Sequence, residues 1–81
     1  MIRLDIVNDG TGNDTHGNYD AYLYIPKDGA FVEYHARVED YPRAHGWATL
    51  VNTATVFLSS QFTREEKTVD KHVFDEGRPD G

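Results

Sequence analysis

Residues 44–63 read AHGWATLVNTATVFLSSQFT, twenty residues without an Asp, Glu, Lys or Arg in a chain that is 27% charged. Within this stretch Trp47, Leu50, Val51, Ala54, Leu58 and Phe62 recur at spacings of three and four. That period places them on one stripe of a helix. The β-branched residues Thr49, Val51, Thr53, Thr55 and Val56 favour strands instead. A strand over 49–58 would, however, put Asn52 on the same face as Leu50 and Ala54, which spoils the alternation. The spacing therefore predicts a helix over 44–62, with Trp47 as the largest contributor to the core beneath it.

Toward the N-terminus the period changes to two. Ile2, Leu4 and Ile6 alternate with Arg3 and Asp5 over residues 1–8. Ala21, Leu23 and Ile25 alternate with Asp20, Tyr22 and Tyr24 over 19–25. Val32, Tyr34, Ala36 and Val38 alternate with Glu33, His35, Arg37 and Glu39 over 30–39. Each is the pattern of a half-buried strand. Pro26-Lys27-Asp28-Gly29 is a turn signal that joins the second and third as an antiparallel hairpin. Residues 9–18, DGTGNDTHGN, are turn formers without an apolar anchor and are expected to be a mobile, dispensable loop.

Beyond Phe62 the chain is strongly charged. Thr63 and Glu66 have the spacing of a capping box and allow a short second helix, while Val69, Val73 and Phe74 equally allow an edge strand. Residues 76–81 are expected to be a disordered tail and 1–75 a single domain. The fold class that results is α+β: a three-stranded antiparallel sheet with one helix packed on one face, in the order βββα, and a charged C-terminal tail.

Composition excludes several functions. Eight Lys and Arg against fourteen Asp and Glu leave a net charge of −6, which argues against direct nucleic-acid binding. The absence of cysteine rules out disulfides and thiolate metal sites. No apolar stretch approaches membrane-spanning length, and the start MIRLDIV lacks signal-peptide features, so a cytoplasmic protein is expected.

Catalytic signals are weak. His16, His35, His45 and His72 include no metal-binding pair at helical spacing, Ser59-Ser60 has no glycine elbow, and the acidic pairs are sequence neighbours that point apart. The Asp9–Gly17 loop resembles one copy of the glycine-rich calcium nonapeptide of parallel β-rolls, but a single copy builds no roll. No catalytic residue, metal ligand or cofactor is therefore assigned.

Two surfaces are candidates for binding a protein. One is the outer sheet face with Tyr22, Tyr24, His35 and Arg37, since Tyr and Arg are common interface anchors. The other is the uncharged helix side with Ala48, Asn52, Thr53 and Val56, small residues that permit close approach by a second copy.

The opening strand with NDGTGND and GNYD, and the segment RVEDYPRAHGWATLV, are similar to small uncharacterised proteins encoded by bacteriophages of actinobacteria, over roughly residues 2–58. The resemblance implies a phage accessory protein that binds a host factor in the host cytoplasm. The expected function is thus a small acidic, non-enzymatic interaction module that binds a host protein or self-associates. The alternatives are a structural or assembly component of a larger particle, and a calcium- or zinc-binding protein or small enzyme.

Overall fold

The structure, a computed structural model, describes residues 2–60 and 65–69. Strands β1 (Arg3–Gly12), β2 (His16–Lys27) and β3 (Ala30–Pro42) form an antiparallel meander. A single 3-10 turn, Arg43–His45, leads into helix α1 (Gly46–Ser59), and strand β4 (Glu65–Val69) follows. The sheet order is β1-β2-β3-β4, with β4 antiparallel to β3.

The sheet therefore has four strands, not the three expected, and the order is βββαβ. β4 escapes a reading of hydrophobic pattern because only Val69 of its five residues is buried. Backbone pairing with the second edge of β3 sets its place, from Phe31↔Val69 to His35↔Glu65. Side chains add to it where Lys67 Nζ lies 3.4 Å from the buried carboxylate of Glu33. Phe62, Val73, Phe74 and the expected tail 76–81 lie outside the described residues.

The β2–β3 turn follows from two residues. Asp28 has φ 51° and Gly29 has φ 80°, the paired positive dihedrals of a type I′ turn. Asp-Gly is suited to that turn because its twist matches that of the flanking strands. Lys27 pairs with Ala30 directly across it, so Pro26 is the penultimate strand residue and not part of the turn.

The strand faces alternate as the sequence predicts. Ala21, Ala36 and Val38 face α1 and share one core with Tyr41, Leu50, Ala54 and Leu58. Leu4, Ile6, Tyr19, Leu23, Tyr34 and Phe57 pack around it. Helix hydroxyls reconcile the β-branched residues with helical geometry. Thr53 donates to the Thr49 carbonyl, Thr55 to that of Val51, and Ser59 to that of Thr55.

Trp47 is not the core anchor. It is 63% exposed, in the first turn of α1, which begins only at Gly46. Tyr41 is buried at that end of the core instead, and its hydroxyl donates to the Gly46 carbonyl at 2.7 Å.

The loop expected over 9–18 is mostly strand. β1 runs to Gly12, β2 starts at His16, and only Asn13-Asp14-Thr15 turn the chain. Nor is the tip loose: the Arg43 amide donates to the Thr15 carbonyl at 2.9 Å, and Arg43 Nε donates to the Asn13 carbonyl at 3.0 Å.

These placements predict opposite outcomes for two truncations. Leu50→Ala should destabilise by about 2–5 kcal/mol, as for other buried leucines. Trp47→Ala should cost about 0.5 kcal/mol or less, as for other surface positions. Urea unfolding followed by circular dichroism measures both.

Candidate interaction surfaces

Long strands with polar outward positions place a chain of charges across the face opposite α1. Asp20 and Arg37 are paired across β2 and β3, as are Tyr22 and His35. Arg37 Nη1 donates to Asp20 Oδ2 at 3.0 Å, and Arg37 Nη2 donates to Asp9 Oδ2 at 2.9 Å. His35 Nε2 lies 2.7 Å from Asp20 Oδ1. A carboxylate can only accept, so this nitrogen carries the hydrogen. The other ring nitrogen is 3.6 Å from Glu65 on β4. The imidazole also stacks on the Tyr22 ring, with centroids 4.7 Å apart and planes at 11°. With both ring nitrogens turned to carboxylates, His35 is a connector between β2, β3 and β4.

The charges reinforce one another. Arg37 holds its proton more tightly than a free arginine, first through Asp20 and then through Asp9. Asp9 is held below its ordinary 3.8, chiefly by the Thr11 hydroxyl, then by the Thr11 amide, with Arg37 contributing.

This network changes the reading of the outer face. Tyr24 is fully buried and gathers Val69, Tyr22 and Phe31 around it in a second small core. The Arg3 guanidinium sits 5.1 Å from the Tyr24 ring centre. Tyr24 is therefore unavailable to a partner, and Tyr22, His35 and Arg37 are half-buried and engaged. Between β3 and β4 lies a polar recess of about 170 Å³, lined by Tyr22, Glu33, His35, Glu65, Glu66 and Lys67.

The helix side is open. Ala48, Asn52 and Val56 are exposed, Val56 at 65%, while Thr53 is half-buried. These four stand on the opposite side of the sheet from Tyr22, His35 and Arg37, so the two sets expected from sequence do not form one site.

A third surface went unread in the sequence. At the end of the molecule where β3 passes into α1, Tyr19, Tyr41, Arg43, Gly46, Trp47 and Leu50 line a cleft of about 160 Å³. Tyr19 meets Tyr41 edge to face at 6.1 Å, and His45 meets Tyr41 likewise at 5.9 Å. Arg43 Nη1 is 3.4 Å from the Tyr19 hydroxyl. The one available signal was Gly46 directly before Trp47: its φ of 83° breaks the helix there and leaves Trp47 in the first turn.

Among the described residues no group of three or more His, Asp or Glu side chains is placed to hold a metal ion. No described helix is long and apolar enough to cross a membrane. The chain matches no protein-family model, no curated protein and no solved structure.

The Asp9 contacts carry a pH prediction. A carboxylate whose folded pKa is depressed stabilises the fold above its ordinary range, and that contribution is lost as pH falls through the lowered value. Thr11→Val should raise the Asp9 pKa toward 3.8 and shift acid unfolding to higher pH, with the carboxyl titration read by NMR. An unmoved Asp9 titration would assign its acidity to the Thr11 amide and Arg37 instead.

Proposed function

We propose that this protein is a non-enzymatic interaction module that binds a partner protein through the end of the molecule built around Trp47. The observation that carries the reading is the sole tryptophan of the chain, 63% exposed at a cleft shared with Tyr19, Tyr41 and Arg43. Trp, Tyr and Arg are the residues most enriched in interface hot spots. An indole left in water at the rim of a cleft gains most of its burial only when another surface closes over it.

The cleft also has a firm base. Arg43 is tied by backbone and side chain to the β1–β2 hairpin tip, and the Tyr41 hydroxyl is tied to Gly46. Little ordering is left to oppose binding, which favours affinity. Arg43 and His45 set a basic spot on a chain of net charge −6. The partner that fits offers an apolar side chain to the cleft and an acidic group to Arg43. The outer face supports the reading less well, because its aromatic and charged groups are already satisfied within the chain.

The test is affinity capture with the full chain as bait, wild type against Trp47→Ala and Arg43→Ala. The captured partner should bind each variant at least tenfold more weakly by titration calorimetry, while Val56→Ser binds as wild type. Retention of full affinity by Trp47→Ala would remove this end of the molecule from the contact.

A further inference from the structure

Helix α1 packs mainly on β3 and only marginally on β2. The sheet face it should cover extends further, onto β1. The aliphatic residues there, Leu4 and Ile6 on β1 and Leu23 and Ile25 on β2, are only half-buried, and Ile2 at the end of the row is 66% exposed. A groove of about 230 Å³ runs between this strip and the flank of α1, where Thr55, Leu58 and Ser59 form the other wall. Both hydroxyls in that wall are turned back onto helix carbonyls, and Tyr34 joins Leu4, Leu23 and Ile25 in lining the groove.

The same chain carries a second incomplete surface. The outer side of α1, with Ala48, Asn52, Val56 and Ser59, has no charge and small side chains. A solvated helix usually carries charges opposite its buried stripe. One surface lacks a helix and the other lacks a sheet.

We propose that the protein forms a two-fold dimer in which the outer side of α1 in each copy lies on the aliphatic strip of β1 and β2 in the other. Two helices would then fill the layer between two sheets, each helix packed on its own sheet by one side and on the partner's by the other. A two-fold axis makes the contact occur twice, helix to strip and strip to helix.

Charge selects this pairing. Two copies of net charge −6 repel through most faces. The helix side and the strip both lack charged residues, since Arg3 and Asp5 of β1 point to the opposite sheet face. Area selects the reciprocal form. A 14-residue helix is about 21 Å long and about 10 Å across, and a strip two strands wide is also about 10 Å across. By these dimensions one footprint is about 200 Å² and the two together about 400 Å², so only the reciprocal form comes within about a factor of two of the roughly 800 Å² per partner of a stable interface. The contact is separate from the cleft at Trp47, so each proposal stands or falls alone.

Light scattering after size exclusion, over micromolar to millimolar concentration, gives the mass. Wild type should run at twice 9.2 kDa. Val56→Lys alters only the helix side and Ile2→Glu only the strip, both at positions about two-thirds exposed. Each alone charges both halves of the dimer and should weaken it at least tenfold. An equimolar mixture should dimerise again, because one half then gathers both introduced charges, of opposite sign, and the other half is unaltered. Asn52→Lys replaces Val56→Lys if circular dichroism shows that the latter is misfolded. A wild type that stays monomeric throughout overturns the proposal. So does a dimer that either variant leaves intact, or two monomeric variants that fail to restore each other. Trp47→Ala should dimerise as wild type does.

Discussion

Three alanines without exposed surface let the helix lie on the sheet. Ala21 and Ala36 face each other across β2 and β3, and Ala54 of α1 belongs to the same core. With only a methyl group on each, the helix can approach the strands closely, and their burial costs no side-chain entropy. Larger residues surround this seat: Leu50 and Leu58 along the helix, Val38 and Tyr41 at the end of β3. The helix bears chiefly on β3 and only marginally on β2, and the rest of the surface follows from that. It leaves the strip of β1 and β2 half-covered.

The opposite face works on other principles. Its inner members, Tyr24 and Glu33, are buried beside Arg3 and Lys67, while Asp9, Arg37, Asp20 and His35 form a continuous line of ion pairs and hydrogen bonds. Pairs of this kind contribute modestly one by one when they remain partly exposed. Their geometry is nonetheless specific. Asp20 receives Arg37 on one oxygen and His35 on the other, and His35 reaches to Glu65 on the strand that the hydrophobic pattern does not specify. Polar pairing thus contributes most where apolar burial is least, at β4. An aromatic and charged composition that reads as a binding face is, in the folded chain, largely an internal fastening.

Two kinds of surface remain open for contact. The cleft at Trp47 is aromatic and basic, with Tyr41 and Arg43 hydrogen-bonded within the chain, and suits a focused anchor. The helix side and the strip are broad, uncharged and complementary to each other. An anchor concentrates affinity in a few groups, whereas matched flat surfaces need area. A domain of this size buries a limited share of its chain, so further burial through association also adds to its stability.

The periodicity of the sequence by itself determined that β1, β2 and β3 are strands, the β2–β3 hairpin with its turn at Asp28-Gly29, the inward and outward faces of those two strands, and the helical stripe of Leu50, Ala54 and Leu58. These are local properties: alternation and helical spacing record which side of an element is buried, and turn residues record dihedral needs. Only the tertiary structure decided the place of β4, the exposure of Trp47, the burial of Tyr24 and the anchoring of the hairpin tip by Arg43. Each of these depends on where one element stops relative to another. Glu65–Val69 is a strand because β3 offers an edge, and Trp47 sits at the rim of a cleft whose other walls, Tyr19 and Tyr41, come from β2 and β3. Arg43 fixes a loop thirty residues earlier because β2 and β3 run long enough to bring them together.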